Sequence, residues 1–418
     1  MERVLPEDII LNIFSRVPFE SLFECRLVSK TWNYFISHLS KVNSASSNSK
    51  VGFISLNMLQ NLKFQLLYLE YDETHNNEQH LRISKINHPP ISRVHYWLFM
   101  ISGVNAPYQK IKSVIIGSSN GLICLSIPRN GYFGVFNDPL YIFNPVTREY
   151  LLLPICSENC LNGRNVFGFG YNDKTNEYKV VRIYYESEEH TERGQVQVYT
   201  LGAGTGWRNK REIACSLQTN NSYSPGMNVD GEVYWLHQGI LKKDSVAGQI
   251  MGSNEGRILA FNLADEVFRL LPNPPYYITL PSGQIFLAFL YEQIQVLGGC
   301  LCYVLKARYD TINIWSFKKN NDTSKKEENS SHWSLAGTVH IQHDDLAQFF
   351  HLTKSGKILY WDDKKTALSY DPRTSSIKDL LNDGTTGLEV FETISYESSF
   401  VSLKALGEEN VKMFNRIN

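Results

Sequence analysis

Net charge is almost missing from this chain: 41 Lys and Arg against 42 Asp and Glu leave −1 over 418 residues. With no basic excess there is no electrostatic footprint for a polyanion, so nucleic acid is not an expected partner. Cysteine is sparse and odd in number, seven in all, without the dense spacing of a disulfide framework, which fits a reducing compartment. Cys156 with Cys160 and Cys300 with Cys302 are close in sequence. Neither has a second pair at finger-like spacing, so they read as buried strand thiols rather than metal ligands. Long apolar runs are missing too. The best, Ile285 to Leu290, is soon broken by Glu292 and Gln293, so no membrane span is expected. The first eight positions carry Glu2, Pro6, Glu7 and Asp8 instead of a basic-then-apolar leader, and cytoplasm or nucleus is the expected location.

Clustered chemistry is equally thin. Gly202-Ala203-Gly204-Thr205-Gly206 has the glycines of a phosphate loop but no lysine in the required place and no following helix, so a hairpin is expected. His340 and His343 with Asp344 and Asp345 form the densest histidine cluster, with no matching ligand set elsewhere. Glu188-Glu189 and Glu327-Glu328 sit in polar text and read as solvated loop charge. No catalytic residue, metal or cofactor is expected.

What is present begins with a run of short helices. Pro6 suits a first helical turn, and Glu7 and Asp8 favour the positive N-terminus. Ile9, Ile10, Ile13, Phe14 and Val17 recur at helical spacing, and Pro18 ends the helix by forcing its predecessor out of the α region. Phe19, Leu22, Phe23 and Leu27 form a second stripe. Ser29 is placed to cap a third helix carrying Trp32, Phe35, Ile36 and Leu39. So few residues cannot bury this much apolar surface internally, and the remainder must meet a partner or the rest of the chain.

The ordered text, from Leu5-Pro6 through Val17-Pro18 to Val28-Ser29-Lys30-Thr31-Trp32, resembles the F-box, by which a protein docks onto a Skp-type adaptor and, through it, a cullin of a ubiquitin ligase. The resemblance implies adaptor contacts from Leu5, Pro6, Ile9, Ile13, Val17, Pro18, Leu22, Val28, Lys30 and Trp32. Glu24 departs from it, standing where an aliphatic or basic residue is frequent.

Residues 1–40 are therefore expected as three short helices, and 41–50 as a polar linker; Ser40 to Lys50 holds five serines. Beyond residue 50 long helical periodicity gives way to β-branched and aromatic runs such as Tyr178 to Tyr185, bounded by Gly, Asn or Asp. A weak repeat appears. Phe143-Asn144, Tyr171-Asn172, Phe261-Asn262 and Tyr370-Asp371 each lead into a polar turn, and Leu153, Leu271 and Leu380 follow three of them by nine residues. Glycine-led strands lie upstream, at Asn120-Gly121, Asp230-Gly231, Gly298-Gly299 and Ser355-Gly356. Such units stack on copies of themselves, and radial stacking makes a β-propeller. Units near 116–155, 166–213, 227–275, 286–339 and 349–381, with strands from 51–115 joined by one around 391–404, predict six blades. The length of 51–115 leaves seven open, and a β-sandwich pair is the alternative. Residues 405–418 are expected as a tail.

Gly117 to Cys124, Asn144-Pro145-Val146-Thr147-Arg148, Phe167 to Tyr171, Tyr178-Lys179-Val180-Val181 and Leu297 to Leu301 resemble the F-box-associated domain of plant F-box proteins. That implies a mainly-β, kelch-like receptor domain over 51–404. Members of that family serve in many pathways, pollen recognition and immune-receptor control among them. The implied function is substrate recognition in an SCF (Skp–cullin–F-box) ligase, working by proximity without catalytic residues of its own. A scaffold that sequesters partners without degradation, and an enzymatic propeller, are the alternatives. Aromatic loop positions Trp97, Tyr132, Phe133, Tyr276 and Tyr277 are candidate substrate anchors.

Overall fold

The computed structural model describes residues 6–17, 21, 25, 28–36, 50–58, 64–74, 81–86, 88–89, 115–126, 139–155, 164–186, 193–217, 225–237, 242–243, 250–251, 258–272, 274, 289–307, 311–319, 332–340, 347–362, 366–381 and 390–414. Helix α1 (Glu7–Arg16) begins after Pro6, which takes the cap position with φ −55° and ψ 147° rather than the first helical one. It ends at Val17, whose ψ of 134° is extended, as expected ahead of Pro18. A second helical run covers 30–36. Ser29 Oγ accepts the Trp32 N–H at 3.1 Å, so Ser29 is the expected N-cap.

The rest is sheet. Strands β1 (Lys50–Met58), β2 (Phe64–Asp72) and β3 (Leu81–Lys85) make three quarters of one blade, and β4 (Ile115–Ser119), β5 (Leu122–Ser126), β6 (Leu140–Phe143) and β7 (Glu149–Leu152) make the next. A third holds β8 (Arg164–Asn172), β9 (Glu177–Tyr185), β10 (Gln195–Thr200) and β11 (Trp207–Asn209). The fourth is β12 (Met227–Val229), β13 (Glu232–Leu236), β16 (Ile258–Asn262) and β17 (Phe268–Leu271), with a small hairpin β14 (Lys242–Lys243) and β15 (Ile250–Met251) inserted. Blade five is β18 (Phe289–Leu297), β19 (Cys300–Ala307), β20 (Thr311–Lys318) and β21 (His332–His340). Blade six is β22 (Gln348–Leu352), β23 (Ile358–Trp361), β24 (Ala367–Asp371) and β25 (Ser376–Asp379). Finally β26 (Val390–Ser395) pairs antiparallel with β1 and completes the first blade.

The inner strands β4, β8, β12, β18, β22 and β26 touch in that order, and β26 returns to β4. Six apolar cores fill the joints, each shared by two consecutive blades. The fold is thus a closed six-bladed β-propeller. Because second strands are covered on both faces, β5, β13 and β23 are buried throughout and, apart from Ser126 and Glu232 at strand ends, read as apolar runs. Packing is tight enough to demand glycine. Gly168 of β8 and Gly226 form a parallel bridge over Trp235, and a Cβ on either would sit 2.6 Å from that indole.

The repeat is real, with one misassignment. Asn144, Asn262 and Asp371 begin turns between third and fourth strands, whereas Asn172 begins a turn between the first and second strands of its blade. All four accept backbone N–H bonds two residues on, at 2.8–3.0 Å. This Asx geometry suits any tight hairpin, so it does not mark strand order. The leucine nine residues on does: Leu153, Leu271 and Leu380, all buried, follow only the three equivalent turns.

The segment expected as a tail is not one through residue 414. Strand β27 (Lys412–Met413) pairs with β7 as a fifth, outermost strand, and Phe414 packs on Phe143 and Tyr150.

Candidate functional site

Ile10, Phe14, Phe35 and Ile36 form a small core between α1 and the 30–36 helix, with Leu11, Val17, Cys25 and Phe400 packed against it. The helical spacing placed Ile9, Ile10, Ile13, Phe14 and Val17 together, but the structure divides them. Ile10 and Phe14 turn inward at 7% and 2% exposure, while Ile9 and Ile13, one residue earlier in each turn, are 44% and 47% exposed. Val17 is half-buried on the core side. Val28, just ahead of the second helical run, and Trp32, within it, are exposed at 64% and 37%. Trp32 rests one ring edge on Phe14, centroids 5.0 Å apart, so its indole is held in place while much of it faces solvent. Pro6 and Lys30 are exposed as well. Leu5, Pro18 and Leu22 lie outside the described residues.

The arrangement is an apolar surface over a core that is already filled. An exposed Ile, Val or Trp is unremarkable singly; here Ile9 and Ile13 share one helical face, and Val28 and Trp32 are exposed in the neighbouring segment, apolar groups of the kind that gather at docking sites.

The second candidate surface is at the propeller. Trp97, Tyr132, Phe133, Tyr276 and Tyr277 all fall outside the described residues. The strands that bracket them are described. The connections concerned leave Lys85, Ser126 and Leu271 and return at Ile115, Leu140 and Phe289. In an antiparallel four-stranded blade, second-to-third and fourth-to-next-first connections share one end of the barrel. All six of those strand ends are therefore at the same end of the propeller. The opposite end carries tight turns such as Asn120-Gly121 and Asp230-Gly231, with positive φ at all four residues.

Two buried carboxylates of the described propeller, Glu232 and Glu266, are bound into ion-pair clusters. Burial alone would raise the Glu232 carboxyl, but hydrogen bonds from Arg269 and Tyr234 and the Lys319 charge hold it at about 2. Arg269 Nη2 lies 2.7 Å and Lys319 Nζ 3.2 Å from Glu232 Oε2, the latter reaching across from the next blade. Glu266, likewise desolvated, is drawn down to about 2 by Arg208, Lys210 and Lys179, with Arg208 at 2.7 Å and Lys179 at 3.0 Å. Burial pushes the Cys302 thiol up to about 12 and Cys215 to about 11. Gly202–Gly206 lies in the turn between β10 and β11. Among the described residues no group of three or more His, Cys, Asp or Glu is placed to hold a metal ion, and no helix is long and apolar enough to cross a membrane. Cys156, Cys160 and His343 to Asp345 lie outside the described residues.

Comparison with known proteins agrees with this division of the chain. Residues 4–43 match the F-box domain family, and residues 62–394 match the family described as the F-box associated beta propeller domain. Similar proteins include the Arabidopsis thaliana "F-box protein At3g07870", 25% identical, with 91% of this chain and 88% of that protein covered. The Arabidopsis thaliana "F-box protein CPR1" is 26% identical over 76% of this chain and 70% of its own length. A helical module with an apolar outer face, followed by a closed six-bladed ring that its family match spans almost entirely, makes this chain an F-box protein of the F-box associated β-propeller family.

Proposed function

We propose that this chain is the substrate-recognition subunit of an SCF ubiquitin ligase. Its F-box binds a Skp-type adaptor and, through it, a cullin, while its propeller, used as a kelch-like receptor, holds a protein target for ubiquitination and proteasomal degradation. The observation that carries the reading is the exposure of Ile9, Ile13, Val28 and Trp32 over a filled core. Leu5, Pro6, Val17, Pro18, Leu22 and Lys30 complete the proposed adaptor set. Each exposed aliphatic group has roughly half its area left to bury, about 1 kcal/mol apiece, and an aromatic anchor such as Trp32 is the usual centre of such an interface.

The target is assigned to the end of the propeller from which the 86–114, 127–139 and 272–288 connections leave. Trp97, Tyr132, Phe133, Tyr276 and Tyr277 are the proposed contacts because these three connections converge on one end. The chain supplies no chemistry in this scheme. It raises the local concentration of target lysines beside a charged conjugating enzyme.

Affinity purification from plant cells with the proteasome blocked tests the reading. Wild type is expected to recover adaptor and cullin, and a Leu5→Ala/Pro6→Ala variant to lose both while retaining other proteins. Those retained proteins should then live longer in cells lacking this chain. Recovery of neither adaptor nor cullin by wild type overturns the reading, and unchanged partner half-lives favour a sequestering scaffold instead.

A further inference from the structure

The segment after the closing strand, residues 396–414, lies beyond the matched propeller region, which ends at 394, and it is bound along its length. Buried Asn144 donates through Nδ2 to Ser399 O at 2.9 Å and Val401 O at 2.8 Å, one carbonyl on each side of Phe400. Ser399 Oγ donates to Asn120 O at 2.8 Å. Leu403 is fully buried in the joint between the second and third blades, and Glu149 accepts from Ser402 Oγ at 2.9 Å. Glu408 accepts the Gly202 N–H at 2.8 Å and the Tyr199 hydroxyl at 3.1 Å. Gly202 could hold no side chain here: its φ is +75°, and a Cβ would fall 1.7 Å from Leu406 O. The strand β27 and Phe414 fasten the far end.

Phe400 is a residue of this strap that meets the F-box. It packs against the Ile10, Phe14, Phe35 and Ile36 core, while Asn144 fixes the backbone immediately before and after it. We infer that the strap is a coupling element, with Phe400 as the positioning residue that sets the F-box in a fixed orientation on the tight-turn end of the propeller, opposite the connections assigned to the target. This rests on the receptor reading for its purpose, since a fixed orientation directs a held target toward the conjugating enzyme; the contact itself does not depend on that reading. Without the contact, the join between helical residue 36 and strand residue 50 is thirteen residues. As a free coil such a length has an r.m.s. span of about 20 Å, enough to lose a defined orientation.

The test uses the full chain in three forms: wild type, Phe400→Asp and Phe400→Leu. Small-angle scattering should show the maximum dimension rising by about 20 Å in Phe400→Asp and the wild-type value kept in Phe400→Leu. Amide exchange across Glu7–Arg16 should speed by tenfold or more in Phe400→Asp, with exchange in the blades unchanged. Adaptor affinity should stay within threefold, because Ile9, Ile13 and Val28 are exposed and Trp32, although its edge rests on Phe14, is not part of the core that Phe400 joins. Wild-type dimensions and exchange in Phe400→Asp would overturn the inference. So would loss of adaptor binding in that variant, which would make Phe400 a folding residue of the F-box. Failure of wild type to bind the adaptor would instead remove the receptor reading and leave the scattering result to stand alone.

Discussion

Ile9 and Ile10 are neighbours in sequence, yet one faces solvent and the other the core, because each residue of a helix turns the side chain by 100°. Helical spacing alone could name Ile9, Ile10, Ile13 and Phe14 as apolar positions; it could not say which pair went inward. The two pairs, 9/13 and 10/14, are both i, i+4, and the choice depends on where Phe35 and Ile36 lie. Other single-residue features were open to reading. Ser29 as an N-cap and Val17 as an extended residue before Pro18 both follow from local chemistry. Ser29→Ala should cost about 1 kcal/mol in the 30–36 helix, seen as faster exchange of the Trp32 and Asn33 amides. Gly168 was legible only as part of a phrase. Its need for glycine arises from Trp235, sixty-seven positions away, and no local signal reports that. Gly168→Ala would bring a Cβ within 2.5 Å of Val233 Cγ1 and 2.6 Å of Trp235 Cζ2. It should destabilise the propeller by about 1–3 kcal/mol, measured as a shift in the urea midpoint.

Strands and turns were more legible than their grouping. Alternation, β-branched residues and Asn-Gly or Asp-Gly pairs mark hairpins directly, and the Leu nine residues past Asn144, Asn262 and Asp371 records a real equivalence. Tyr171-Asn172 misled because an Asx turn is the same object between any two strands. Residues 405–414 misled in another way: Lys412-Met413 is too short to show a strand period, and its pairing with β7 depends on Glu149 and Tyr150 over 250 positions upstream. Strand β26 and strand β27 do different work, which truncations separate. Ending the chain at 389 removes the strand that pairs with β1 and touches β4. The ring should then open, leaving β1 as an exposed edge prone to association, read as oligomers in sedimentation. Ending at 404 keeps the ring but uncovers β7 and removes Phe414. A monomer melting several degrees lower is expected, since burying an aromatic of that kind contributes about 2–3 kcal/mol.

At the scale of the whole molecule, rigidity comes from joints between blades. The Glu232–Lys319 and Glu266 clusters supply fixed charge beside the apolar cores. Both carboxyls sit near 2 in the fold against a usual value of 4.5, so the unfolded chain binds their protons first. Their contribution is complete above about pH 4.5 and is lost as pH falls toward 2. Melting temperature should drop between pH 5 and 3. Glu232→Gln should lower stability at pH 7 by leaving Arg269 and Lys319 without a counter-charge, while flattening that acid slope; an unchanged slope would mean the cluster is not linked to folding. The proposed function has a ring joined to a helical module hold two proteins at a set separation, and the adaptor contact is the claim on which the rest depends. Calorimetric titration of a purified Skp-type adaptor into the full chain, beside an Ile9→Asp/Ile13→Asp variant, measures it directly. The account predicts one-to-one binding by wild type and a loss of at least a hundredfold in the variant, with the propeller's melting temperature unchanged. Equal affinity for both forms, or no binding by wild type, would contradict it.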